Sequence, residues 1–138
     1  MRKLAKNSKN RVYLQNIGKQ AVYPCFNKET QLWEYKLGEI KGVYSDKLSS
    51  LSYATKFGIS YLIDGFFLEV VRCWVVDDEQ IELSKQYGIK QGDKVGYFCN
   101  EEKEGTVLCL FDDCIRTDTD GIRGYSEILT VNGQNYNI

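Results

Sequence analysis

The stretch RTDTDGIRGYSE, Arg116 to Glu127, spaces its acidic side chains much as a calcium loop does. In that register Asp118 and Asp120 take the third and fifth positions, Gly121 the sixth and Glu127 the twelfth. Such a loop works because hard oxygen ligands surround the ion across a sharp glycine turn. Arg116 stands at the first position, however, where it removes an oxygen and adds repulsion. Arg123 falls where the loop needs an apolar residue, and the preceding VLCLF reads as strand. A solvated turn is the better reading, and no metal ligand is assigned.

Other chemistries fail for lack of parts. The chain has no histidine, which removes the commonest general base and the commonest metal ligand together. Serines are plentiful, but no G-x-S-x-G or S-x-x-K string is present. Asp112 and Asp113 form a carboxylate pair in sequence, yet adjacent strand residues point to opposite faces. Gly88, Gly92 and Gly96 are spaced by four and interrupted by Asp93, so they make no phosphate-binding loop. Five cysteines (25, 73, 99, 109 and 114) lack C-x-x-C spacing, and Cys73, Cys99 and Cys109 sit in apolar runs. They read as free thiols in a reducing compartment, with a disulfide framework the weaker reading. No catalytic residue and no cofactor site is expected, and the chain reads as a non-enzyme.

The elements that would carry any surface are mostly strands. Ten Tyr, six Phe and two Trp against one Pro and one Met favour aromatic-rich sheets over a helical bundle. At 138 residues one domain is expected, with Met1–Asn10 as a flexible basic arm and residues 11–138 as a single β-rich domain. No apolar run approaches the roughly 20 residues of a membrane span. RVYLQNIGKQAVYPCF reads as two short strands turning at Asn16-Ile17-Gly18, with Pro24 demoting the second to an edge or ending it. QLWEYKLGEIKGVY alternates as a strand with a bulge or bend near Gly38. DKLSSLSYATKFG fits either a loop or a short helix capped by Asp46, with Leu48, Leu51 and Thr55 on one face and Gly58 at its end.

Asp64-Gly65 turns a second hairpin. DDEQIELSKQYG is the clearest helix, capped by Asp77 or Asp78, acidic in its first turn and stopped by Gly88. KVGYFCNEEKEGTVLCLF predicts a third hairpin across the charged tip Glu101–Gly105, followed by a polar loop over Asp112–Gly124. Asn132-Gly133 predicts a last hairpin whose second strand runs to Ile138. The fold class is mainly β: a small barrel or sandwich of antiparallel hairpins with one or two short helices.

Charge is the most informative global feature. Residues 1–60 hold eleven Lys/Arg against four Asp/Glu, or +7, and residues 61–138 hold seven against fifteen, or −8. Either the fold interleaves the halves and cancels the asymmetry, or a basic face meets an acidic face on a neighbouring copy. The second reading pairs the arm residues Arg2, Lys3, Lys6, Lys9 and Arg11 with Glu101, Glu102 and Glu104. Tyr13, Tyr23, Trp33 and Tyr35 among Arg11, Lys19, Lys28 and Lys36 would suit a single-strand-binding sheet, although core-facing aromatics beside solvated lysines are commoner.

Two resemblances follow. LSKQYGIKQGDKVGYF, Leu83 to Phe98, resembles the helix-Gly-Ile-x-x-Gly-Asp-x-strand run of AbrB-like swapped-hairpin regulators, which implies DNA binding. The same string can simply cap a helix and turn it into a strand. Asp77 to Glu104 carries eight acids against four lysines, so phosphate would be repelled there, and only the basic arm could make non-specific DNA contact. AVYPCFNKETQLWEYKLG, KFGISYLIDGFFLEVV and ILTVNGQNYNI together resemble the head-tail connector (head-completion) proteins of tailed bacteriophages. That resemblance implies a β-barrel copy in a homo-oligomeric ring, bridging portal and tail proteins in the bacterial host's cytoplasm and the assembled virion. A third class, a small-molecule-binding inhibitor, would need a closed pocket lined by aromatics.

Overall fold

The computed structural model describes residues 2–46 and 58–137. The chain divides into two compact units, Met1–Val75 and Val76–Ile138, each with its own six-stranded sheet and its own buried cluster. The fold is mainly β, and every strand pairing is antiparallel. Each sheet is open, with strands at both edges, so hairpin layers describe the fold and a closed barrel does not. The expected division into an arm and a domain from residue 11 onward is not where the chain separates. The division falls at Val75, where one set of hairpins has closed its core.

The first unit is built around one long strand. β1 (Arg2–Lys3), β2 (Gln20–Asn27), β3 (Leu32–Ser45), β4 (Ile59–Ile63), β5 (Phe66–Glu69) and β6 (Trp74–Val75) form a sheet ordered β5-β4-β3-β2-β6, with β1 paired to the end of β3. β3 pairs β2 along its first half and β4 along its second, with the register shifting between Ile40 and Gly42. That irregularity lies next to the bend predicted near Gly38. Pro24 is tolerated because β6 pairs only Ala21 and Val22, leaving β2 beyond them paired on one side. Tyr23, Ile40, Ile59, Tyr61 and Ile63 fill the core. Each such side chain contributes about 1.5–3 kcal/mol on burial.

Two expectations for this unit change. Arg11–Asn16 is a 3-10 helix rather than a strand, because Tyr13 and Leu14 both pack on the core and Asn16 Nδ2 donates to Tyr61 Oη at 2.8 Å. The N-terminal residues are not a free arm either: Arg2 pairs with Ser45, Lys3 with Tyr44, and the buried Leu4 donates its N–H to Val43. The Asp64-Gly65 hairpin forms as read, Asp64 adopting φ 50° and Gly65 φ 82°. The helix-or-loop reading of DKLSSLSYATKFG concerns residues 47–57, which lie outside the described residues; Asp46 donates its N–H to the Gly58 carbonyl.

The second unit opens with α1 (Asp78–Tyr87). Asp77 caps it by accepting the Gln80 N–H at 3.0 Å, Asp78 and Glu79 occupy the positive end of the dipole, and Gly88 ends it at φ 69°. β7 (Lys94–Cys99), β8 (Glu101–Leu110), β9 (Cys114–Thr117), β10 (Gly121–Gly124), β11 (Ile128–Val131) and β12 (Gln134–Asn135) give the order β10-β9-β8-β7-β11-β12. Ile89, Val95, Tyr97, Val107, Leu110 and Ile115 fill this core. The Asn132-Gly133 turn forms with both residues at positive φ. Tyr136 extends the pairing through its N–H to Leu129, and Ile138 lies outside the described residues.

Two boundaries differ from expectation. The β7–β8 turn is the single residue Asn100 at φ 63°, so Glu101–Gly105 is strand and not a tip. The polar stretch 112–124 is mostly a hairpin, β9 with β10, because Ile115 supplies a buried anchor among its charges.

Candidate functional site

The acidic loop spends its oxygens on the protein. Asp118 Oδ1 accepts the buried Thr106 N–H at 2.7 Å. Asp120 accepts from Tyr97 Oη at 2.5 Å and pairs with Lys103 at 3.4 Å, while Glu127 pairs with Arg123 at 3.5 Å. The hydrogen bond from Tyr97, with Lys103 beside it, holds the Asp120 carboxyl below the usual carboxylate range. Asp120 in turn raises Lys103, and burial pushes the Tyr97 phenol up. Arg123 lies over the Tyr97 ring, 5.3 Å from its centre. These acids therefore stitch the β9–β10 turn to β7 and β8. Among the described residues no three His, Cys, Asp or Glu side chains gather as a metal-ligand set.

The helix-to-strand string is used the same way. Asp93 Oδ2 accepts the Lys90 N–H at 3.0 Å and its Oδ1 accepts from Asn132 Nδ2 at 3.2 Å. Gly92 donates to the Val107 carbonyl, and Val107 donates back to the Asp93 carbonyl. Leu83 to Phe98 thus caps a helix and starts a strand whose partners, β8 and β11, belong to the same chain.

Arg2, Lys3, Lys6, Lys9 and Arg11 are all exposed on the first unit. Between Arg2 and Lys28 the chain has seven cations and no acid. Val12 and Ile17 lie among them, 55% and 46% exposed. Of the nucleic-acid candidates, Tyr23 is a core residue and Tyr13 packs on the core, while Trp33 is exposed and packs edge-on against Phe26.

The three glutamates do not form one cluster. Glu102 pairs with Phe98 and Glu104 with Gly96 on the outer face, while Glu101 pairs with Cys99 on the opposite face. The register shift between Ile128 and Thr130 leaves Leu129 exposed on β11, and Thr130 pairs with Gly96. Gly96, Glu102, Glu104, Leu129, Thr130 and Asn135 line a groove of about 540 Å³. A Cβ at Gly96 would meet Thr130 Oγ1 at 2.3 Å, so any side chain there would force Thr130 to shift. A second cleft of about 580 Å³ lies between the end of α1 and the last hairpin, lined by Ser84, Lys85, Lys90, Asn132, Gln134 and Tyr136 among others. Its lining mixes these polar side chains with Ile89 and Val131.

No protein family, curated protein or solved structure matches this chain. Charge marks Glu102 and Glu104 in the sequence, and the structure adds the exposed Phe98 (63%) and Leu129. The signal was present in the alternation Val95, Tyr97 against Gly96, Phe98, which turns an aromatic outward. Leu129 depends on the irregular register of β11, which no periodicity announces. No helix among the described residues is long and apolar enough to cross a membrane.

Proposed function

We propose that this chain is a non-enzymatic assembly protein that works through protein–protein contacts between copies and with structural partners. One observation carries the reading: the charge divides with the fold. Met1–Val75 holds twelve Lys/Arg against six Asp/Glu, or +6, and Val76–Ile138 holds six against thirteen, or −7. Opposite charge on separate units favours a head-to-tail contact, which closes as a ring or runs on as a filament; a two-fold contact would set like against like. Exposed ion pairs contribute only about 0–1 kcal/mol each, so charge sets orientation and apolar side chains supply affinity. Exposed Phe26, Trp33, Phe66, Phe67 and Phe98 are available for that.

In its narrower form the proposal is a head-tail connector of a tailed bacteriophage, seated in a ring between portal and tail proteins. The likeness of residues 21–38, 56–71 and 128–138 to that class supports it. Light scattering after size exclusion at 0.05 M and 1 M salt tests the reading. A closed ring at low salt that loosens at high salt is expected, since the screening length falls from over 10 Å at the lower salt to about 3 Å at 1 M. A monomer at every salt and concentration would refute self-assembly.

A further inference from the structure

The outer groove of the second unit has a chemistry that selects its occupant. Its floor is Gly96 and Thr130, and its apolar rim is Leu129, with Phe98 exposed two residues further along β7. Two carboxylates, Glu102 and Glu104, border it, and among the described residues neither makes an ion pair. The only cation in the lining, Lys103, points to the other face and holds Asp120. An occupant must therefore bring positive charge beside a modest apolar surface. A phosphate or nucleic acid would meet two unpaired negative charges.

We infer that this groove is the docking site for the basic surface of residues 5–17 of a second copy. That surface offers exposed Lys6 and Arg11 with Val12 and Ile17, and no acid. It is held in shape: Ser8 donates to the Ala5 carbonyl, Arg11 to the Ser8 carbonyl, and the 3-10 turn follows. It therefore docks as a preformed surface without the entropy cost of ordering a tail. A groove of about 540 Å³ is large enough for Val12 and one basic side chain. The contact is heterologous, groove to basic surface, so each copy has one of each to offer. The inference rests on the self-assembly reading and names the surfaces that would make the contact.

Deleting residues 1–10 is a poor test, because Leu4 belongs to the core. Charge reversal is cleaner. Glu102→Lys with Glu104→Lys should weaken self-association at least tenfold at 0.05 M salt, and Lys6→Glu with Arg11→Glu should do the same. Sedimentation velocity reads the effect, with unchanged circular dichroism and tryptophan emission certifying the folds. Mixing the two double variants, or combining all four substitutions in one chain, should restore association. If the parent assembles and neither pair of substitutions alters it, another surface makes the contact and this inference is wrong while self-assembly stands. If both pairs weaken assembly but neither the mixture nor the quadruple variant recovers, the two surfaces do not meet, which also overturns it. A parent that never self-associates overturns both readings.

Discussion

Gly38→Ala tests the packing of the first unit at its tightest point. A Cβ there would lie 2.6 Å from Asp64 Oδ2, 2.7 Å from Ile63 Cγ2 and 3.1 Å from Tyr23 Cε1. Asp64 cannot simply swing aside, because its carboxylate accepts the Tyr23 hydroxyl at 2.5 Å. Ile63 is fully buried and has nowhere to go. Overpacking of this kind costs about 1–3 kcal/mol. Losing a hydrogen bond to a charged acceptor adds about 1.5–3 kcal/mol where the carboxylate is displaced. Removing a glycine from the unfolded chain returns about 0.4–1 kcal/mol. The balance is a destabilisation of about 3 kcal/mol, confined to the first unit.

The assay follows from the composition. Both tryptophans, Trp33 and Trp74, belong to the first unit. Urea unfolding followed by tryptophan emission therefore reports that unit, and the helical circular dichroism of α1 reports the second. Gly38→Ala should lower the emission midpoint while leaving the α1 signal nearly in place. Repeating it in an Asp64→Gly background, which suits the left-handed backbone at that residue, should recover about 1–2 kcal/mol of the cost. An unchanged midpoint in the single variant would mean that β3 and the β4–β5 turn are not packed as described.

Gly124→Ala provides the contrast: its φ is −69° and the nearest atom to a new Cβ is 3.9 Å away, so stability should hold or rise by about 0.5 kcal/mol; a loss above 1 kcal/mol by circular dichroism would contradict that geometry. Asp77→Ala removes the acceptor of the Gln80 N–H and should cost the second unit about 1 kcal/mol, with Asp77→Asn nearly silent in the same melt. Alkaline titration should unfold the protein, since burial holds Tyr23, Tyr97, Tyr125 and Tyr136 above the ordinary phenol range and pushes Tyr61 up to about 12. The unfolded tyrosines ionise near pH 10 while the folded ones stay neutral, so this stability is whole below pH 10 and is lost above it. A urea midpoint that stays flat through pH 11 would show those hydroxyls to be solvated.

Local chemistry was legible wherever one residue type has one strong preference. Asp77 and Gly88 bracket α1, Asn132-Gly133 and Asp64-Gly65 turn hairpins, and Pro24 lies on the half-paired part of β2. Where the outcome depends on distant contacts, the residues alone could not decide. Arg11–Asn16 carries the strand-prone run Val12-Tyr13-Leu14, and only packing of Tyr13 and Leu14 against the core makes it a 3-10 turn. Glu101–Gly105 reads as a charged tip because nothing nearby says that Asn100 alone can reverse the chain. The groove was harder still, since its floor, rim and acids come from three strands and an irregular register.

The fold bears directly on the charge asymmetry. Cancellation within a sheet would require strands from the basic half and the acidic half to alternate in it. Neither sheet does this: β1 to β6 all precede Val76, β7 to β12 all follow it, and no sheet draws from both. Each unit thus carries its own net sign, and the ion pairs within the units include Glu69 with Arg72 in the first and Glu82 with Lys85 in the second. Like charges held on one small unit repel each other, a cost that the cores must offset. A protein selected for stability alone would relieve that strain with a handful of surface exchanges, each nearly neutral for the core. On the proposed assembly reading, reversing a few exposed cations of the first unit should raise that unit's stability while weakening self-association.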